Sequence, residues 1–186
     1  RALRVTSTTE VTMYAWSYMF ATSDATVVLP SPALGMSYRV IAYSGLNSSY
    51  PSEFCIVATQ NSTIINITPT CNTKDNKIKN VTYSVTLNKG QSYQVQAKTD
   101  SSLTGSQIQV QNCKPIAVFG GSMCAEVPKS CNYCDHLFEE LYPINTWGKE
   151  FILVPTATRT KDRIVILSDK NNTVLNINGS NTTLTN

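Results

Sequence analysis

The sequence of 186 residues lacks any apolar run long enough for a membrane-spanning helix, so it predicts no membrane span. It also lacks a charged-then-apolar leader, and we therefore expect Arg1 to be an internal or processed start. Charged residues make up only 15% of the chain, against roughly 25% in an average soluble domain. The net charge of +3 is small and scattered, which does not predict a nucleic-acid partner.

Residue patterns used by most enzymes and metal sites are also scarce. His136 is the single histidine, and the chain has no Gly-X-Ser-X-Gly elbow, no Gly-rich phosphate loop and no Asp-X-Asp-X-Asp calcium pattern. Glu139 and Glu140 are adjacent, so on a strand they would point to opposite faces and could not flank one bond. The sequence predicts neither an enzyme nor a cofactor.

What the chain does have is hydroxyl and amide side chains, with 42 Ser plus Thr and 16 Asn. These residues form seven Asn-X-Ser/Thr triplets, roughly double the number that chance would place, and each is a glycan acceptor if the chain is secreted. The alternative is a Thr- and Asn-rich β protein in which such triplets arise by accident. The predicted N-glycosylation sites are Asn47, Asn61, Asn66, Asn80, Asn171, Asn178 and Asn181.

The cysteine content favours a protein that resides in an oxidising compartment. The count is even and accompanies the glycan acceptors, which favours disulfides in a secreted, extracellular protein. Cys124, Cys131, Cys134 and His136 leave a zinc site or a redox-active pair open as alternatives. The spacing of the cysteines does not determine which of them are bonded to each other. The six cysteines are Cys55, Cys71, Cys113, Cys124, Cys131 and Cys134.

An internal repeat with a period of about 110 residues organises the chain. Its segments align without gaps, and the changes of offset between segments are what insertions in loops produce. The repeat predicts two domains, a complete copy at 1–112 and an incomplete second copy at 113–186. The aligned pairs are 54–67 with 164–177, 35–40 with 148–153, and 11–15 with 116–120.

Within the first copy, short alternating segments predict strands. Residues 83–87 and 93–97 alternate with period two, and 88–90 between them supplies a hairpin turn. Ile65 and Ile67 share a face opposite Asn66, which fits a sheet with one solvated face. Residues 135–142 look helical, but their counterpart at 24–30 reads as a strand, so we predict an extended segment.

We therefore expect an all-β chain of two tandem antiparallel β-sandwich modules, of jelly-roll or immunoglobulin-like type, the second lacking its last strands. The counterparts of about residues 77–111 are missing from the second copy. Either the chain was cut from a longer one, or another molecule supplies those strands by β-strand addition. The second possibility predicts head-to-tail fibres.

Three segments, 115–128, 134–143 and 146–151, carry a resemblance to the amino-terminal domain of the IgG Fc-binding protein family. Segments 23–30 and 103–106 of the first copy resemble the same domain. The resemblance implies a secreted, non-catalytic β module of larger mosaic proteins, and a disulfide between Cys124 and Cys134. For the other four cysteines we expect Cys113 with Cys131 and Cys55 with Cys71. Fc binding itself does not follow from the resemblance.

Together these observations predict an extracellular, N-glycosylated, disulfide-braced structural or adhesive module that assembles head-to-tail by β-strand complementation into filaments. The expected partners are other protein chains, through self-association or through matrix and mucus components, and covalent N-glycans. An alternative is a binder of a glycan or glycoprotein such as an immunoglobulin Fc region. We expected the aromatic residues at strand positions to pack in the core.

Overall fold

The computed structural model describes residues 2–129, 131–155, 157–158 and 162–185. Within these ranges every strand pairing is antiparallel and helix is limited to two short 3₁₀ turns, which confirms the predicted all-β antiparallel class. The same ranges contain no helix with the length and hydrophobicity to cross a bilayer. The strands are β1 Met13–Met19, β2 Thr22–Val28, β3 Ser37–Arg39, β4 Ser52–Ala58, β5 Thr63–Thr68, β6 Tyr83–Leu87, β7 Ser92–Gln96, β8 Gln107–Val110, β9 Ile116–Ala125, β10 Asp135–Glu140, β11 Thr173–Ile177 and β12 Ser180–Leu184, and the 3₁₀ turns are Ser31–Ala33 and Ile144–Thr146.

By compactness the chain divides into two units, Arg1–Phe151 and Ile152–Asn186. The first contains two four-stranded sheets, ordered β10-β9-β4-β7 and β3-β8-β5-β6, and the hairpin β1-β2. Both sheets contribute to one hydrophobic core, so this unit is sandwich-like. The repeat boundary predicted between residues 112 and 113 falls inside the first unit. The fully buried core includes Tyr38, Val40, Ile56, Ile65, Ile67, Ile108, Ile116 and Val118.

Alternation along the strands sets which side chains enter this core. In β4, Phe54 and Ile56 are buried while Cys55 between them is half-buried on the other face. In β5, Ile65 and Ile67 are buried and Asn66 lies on the outer face, which confirms the predicted alternation. Successive side chains of a strand point to opposite faces, so each core-facing set comes from every second residue.

The predicted hairpin at residues 83–97 is wrong in its pairing. Both predicted strands exist, but β6 pairs with β5 and β7 pairs with β4, so the connection crosses from one sheet to the other. Gly90 in this connection has a φ of 76°, a conformation that favours glycine. The alternation and the turn residue are enough to identify the two strands. The partners of these strands depend on tertiary packing, which buries Leu87 and Val95 in the core that both sheets share.

The second unit contains the hairpin β11-β12, joined by Asn178 and Gly179 at positive φ values of 49° and 88°. Asn-Gly is the preferred pair for such a two-residue turn. β11 lies at residues 173–177, the counterparts of 63–67 in β5, whereas residues 164–167, the counterparts of 54–57 in β4, join no sheet. Their counterpart β4 lies between β7 and β9, and no described strand of the second unit fills those two places.

Candidate interaction surface

The hairpin β9-β10 belongs to the second repeat copy in sequence, yet it completes a sheet of the first copy. β9 pairs with β4 over seven residues, from Ser52 opposite Ser122 to Ala58 opposite Ile116. Ile116 and Val118 of β9 are fully buried in the core of the first unit. The extended segment predicted at 135–142 is confirmed as β10, which lies at the edge of the same sheet.

Close packing fixes this hairpin in place. The Tyr38 hydroxyl donates to the carbonyl oxygen of Ile116 at 2.6 Å and accepts from the Gly35 N–H at 2.9 Å. Burial raises the pKa of Tyr38 to about 12, so the hydroxyl keeps its proton. A Cβ added to Gly120 would collide with the carbonyl oxygen of Ile41, so the backbone of β9 approaches the loop after β3 as only glycine allows.

β2 caps the outer edge of β10 with side chains rather than with backbone groups. Asp24 Oδ2 accepts from the N–H of Phe138 at 2.8 Å, and Thr26 Oγ1 accepts from the N–H of Glu140 at 2.9 Å. Thr22 Oγ1 accepts from the N–H of His136 at 3.4 Å. Every second residue of β2 therefore satisfies every second N–H of β10, and the two strands run in the same direction.

Carboxylates lie along this contact and differ in their surroundings. Glu140 is buried and its Oε2 accepts from the Leu29 N–H at 2.7 Å; burial raises the pKa of Glu140 to about 7. Burial also raises the pKa of Glu139, whose Oε1 accepts from the Thr26 hydroxyl. The pKa of Asp135 is lowered, chiefly because the Thr22 hydroxyl donates to it. The two glutamates thus hold β2 against β10.

β1 presents an exposed aromatic face. Tyr14, Trp16 and Tyr18 alternate along the strand, and Trp16 is 74% exposed. The rings of Trp16 and Tyr18 meet edge-to-face with centroids 6.3 Å apart. Our expectation that these aromatic residues pack in the core is wrong. The sequence carries no signal of this exposure, because residues 11–20, before and through β1, have no charged side chain and the composition of a buried strand.

The other edge of β1 pairs with no strand among the described residues, since β2 is its one partner in the sheet. The repeat makes β1 the counterpart of β9, which is paired on both edges. In the second unit, Ile164, Val165 and Ile166 are exposed although they are the counterparts of β4 residues. Each unit therefore offers one candidate region for strand pairing, the free edge of β1 in the first unit and the segment 164–167 in the second.

The cysteines divide into one bonded pair and four others. Cys124 and Cys134 form a disulfide that ties β9 to the start of β10, as the resemblance implied. The expected pairs Cys113–Cys131 and Cys55–Cys71 are not formed. Cys55 lies on the outer face of its sheet while Cys71 packs against the core, and a disulfide needs Cα atoms within about 7 Å. Burial raises the pKa of both Cys55 and Cys71.

The same disulfide bears on the zinc alternative, because it uses two of the three cysteines that the alternative needs. The part of the chain that the structure describes holds no group of three His, Cys, Asp or Glu side chains able to bind a metal. His136 instead contacts Thr22, with 2.5 Å between Nδ1 and the hydroxyl.

Six of the seven predicted glycan acceptors are exposed, and Asn66 is half-buried with its Oδ1 accepting from the Ser84 hydroxyl at 2.6 Å. None of the seven lies on β1, β2, β9 or β10, and none lies within residues 162–168. Asn171, Asn178 and Asn181 flank or belong to the hairpin of the second unit.

Comparison with known proteins gives two matches. A family model described as IgGFc binding protein matches residues 24–186. The human IgGFc-binding protein is 29% identical over 144 residues, which cover 75% of this chain and 2% of that protein. The chain thus spans only a small part of the length of this relative. No solved structure matches the chain.

Proposed function

The chain belongs to the IgGFc-binding protein family, and from that premise we propose that it is an extracellular, N-glycosylated structural and adhesive module without catalytic activity. In this proposal its partners are other protein chains, above all further copies of the same module. Copies associate head-to-tail by β-strand complementation, in which one module supplies strands to the sheet of the next, and the product is a filament.

One observation carries the proposal: the opening hairpin of the second repeat copy closes the sandwich of the first. β9 contributes two fully buried residues to a core that is built mostly by the preceding copy. The described part of the second copy receives no such hairpin, and its counterparts of core residues are exposed. Exposed apolar edges of this kind are sites for pairing with another chain.

Sedimentation velocity over a range of concentrations, followed by negative-stain microscopy of the secreted glycoprotein, tests this proposal. We expect the average mass to rise with concentration and unbranched filaments to form, because the donor strands and the acceptor edge in this proposal are different surfaces of each chain. A sample that stays monomeric at every concentration contradicts the proposal. Enzymatic removal of N-glycans on the same material should lower its mass, and an unchanged mass contradicts the glycoprotein part.

A second candidate function is binding of a glycan or glycoprotein, including an Fc region, as the name of the human relative indicates for that protein. The exposed aromatic face of β1 supports this candidate, because Tyr and Trp are enriched in binding surfaces. Capture of purified Fc by the wild-type chain, lost on Trp16→Ala and kept on Phe151→Ala, would favour it. Phe151 is as exposed as Trp16 and lies outside β1.

A further inference from the structure

We infer that the free edge of β1 binds residues 164–167 of a second copy of this chain, in the register that joins β9 to β4. This inference rests on the proposed self-association and names the two strands that perform it. β1 is the repeat counterpart of β9, and 164–167 is the repeat counterpart of the middle of β4. These counterparts, β9 and β4, pair with each other over seven residues in the first unit.

The register follows from the paired counterparts. Cys55 lies opposite Phe119 and Phe54 lies opposite Gly120. Carried through the repeat, these pairs place Val165 opposite Tyr14, and Ile164 opposite Ala15. Register in a sheet is specific, because a slip by one residue turns every side chain to the other face.

Both segments have the composition of interior strands although they are exposed. Residues 11–20 and 164–167 contain no charged residue and no proline, the features that usually protect an exposed edge. Val11, Met13 and Ala15 correspond to the core-facing Ile116, Val118 and Gly120 of β9. Pairing would therefore place Met13 and Ala15 beside Ile166 and Ile164, on one continuous apolar face.

The second copy is the occupant that the chain itself specifies. Each chain has one free β1 edge and one segment 164–167, which are different surfaces, so the contact is heterologous and continues from chain to chain. The predicted glycan acceptors lie outside both segments, so a glycan on any of them is attached to neither pairing strand. A symmetric contact would join two β1 edges or two 164–167 segments, and would not pair one with the other.

Cross-linking of two single variants tests the pairing. A Tyr14→Cys chain is mixed with a Val165→Cys chain under mild oxidation, and linked peptides are identified by mass spectrometry. We expect a link between positions 14 and 165, which must join separate chains because each variant carries one change. An Ala15→Cys chain with the Val165→Cys chain is the control, because its side chain would point to the other face. Wild-type chains report links among native cysteines.

Charge insertion gives a second measurement that does not depend on sulfur chemistry. Ile166→Lys should weaken association at least about tenfold, because it places a charge opposite Met13 on the apolar face that the two paired strands would share. Val174→Lys is the matched control, since Val174 is exposed in the same unit but lies outside the segment, and its association should be unchanged.

The outcomes separate the two proposals. A 14–165 link with loss of association in Ile166→Lys supports the pairing. Association without that link, with a 15–165 link instead, or with Ile166→Lys unaffected overturns the strand assignment and leaves self-association standing. A chain that is monomeric at every concentration overturns both.

Discussion

Ile56 and Ile166 hold equivalent positions in the predicted repeat, yet Ile56 is fully buried and Ile166 is 46% exposed. Two more equivalent pairs differ in the same way. Tyr38 is buried and Phe151 is 74% exposed, and Ile67 is buried whereas Ile177 is exposed. Local sequence is similar in the two copies, so it does not produce the difference. The first copy receives β9 and β10 from the segment that follows it, and the second receives no equivalent strands among the described residues.

The comparison shows that a strand of this repeat is completed by its neighbours rather than by its own sequence. β4 is held between β7 and β9, and its inward side chains face a second sheet. Residues 164–167 have similar apolar character but no described strand beside them. A sheet needs at least two paired strands, so residues 164–167 form no sheet by themselves.

Replacing the two equivalent isoleucines is the strongest test of this comparison. Ile56→Ala should lower the free energy of unfolding by about 3 kcal/mol, because it leaves a cavity in a filled core. Ile166→Ala should cost less than about 0.5 kcal/mol in dilute solution, since its side chain is exposed. Urea unfolding followed by circular dichroism measures both. Equal costs for the two variants would contradict the assigned environments.

The equivalent positions Gly120 and Ala15 test the close approach of β9. Gly120→Val should cost about 2 to 3 kcal/mol, because its Cβ would collide with the carbonyl oxygen of Ile41. Ala15→Val should change stability by less than about 0.5 kcal/mol, because β1 has no strand on its free edge to displace. Urea midpoints at low protein concentration report both effects. A tolerated Gly120→Val would mean that β9 is not seated in the sheet.

The sequence predicted the fold class and the position of most strands, because period-two alternation and turn residues are local signals. It could not assign β6 and β7 to different sheets, since that choice depends on burial of Leu87 and Val95 in a core built by distant strands. The repeat remains a sequence prediction. Its predicted boundary between residues 112 and 113 falls inside the compact unit Arg1–Phe151, because β9 pairs with β4 across that boundary. The Cys124–Cys134 bond came from family resemblance, and the other expected pairs failed because sequence does not report distance.

A smaller effect on the free energy of unfolding is expected at the contact between the two equivalent hairpins, β1-β2 and β9-β10. Burial raises the pKa of Glu140 to about 7, above its ordinary value, so the folded chain binds a proton that the unfolded chain has released. Its contribution to stability is therefore fully present below about pH 4.5 and is lost as pH rises toward 7. Glu139 is the acidic neighbour that adds to the shift, and the Leu29 N–H opposes it.

Glu140→Gln should remove this pH dependence and stabilise the chain at pH 8 by an amount on the order of 2 kcal/mol, since Gln still accepts from the Leu29 N–H. Unfolding free energies of variant and wild type, measured from pH 4.5 to 8, give the difference curve. Glu150→Gln, at an exposed position, is the control and should follow the wild type. A difference that grows toward low pH would contradict the assigned direction.

The smallest effect on stability is expected from changes at Asn61 and Asn171, which are predicted glycan acceptors at equivalent turn positions of the two copies. Both lie in exposed turns just before a strand, so we expect both to carry a glycan even though the surrounding units differ in completeness. Asn61→Gln and Asn171→Gln should each remove the mass of one glycan from the secreted chain and change stability by no more than about 0.5 kcal/mol. Intact-mass spectrometry before and after glycosidase treatment checks occupancy. Modification at Asn61 alone would show that the second copy does not present its turn as the first does.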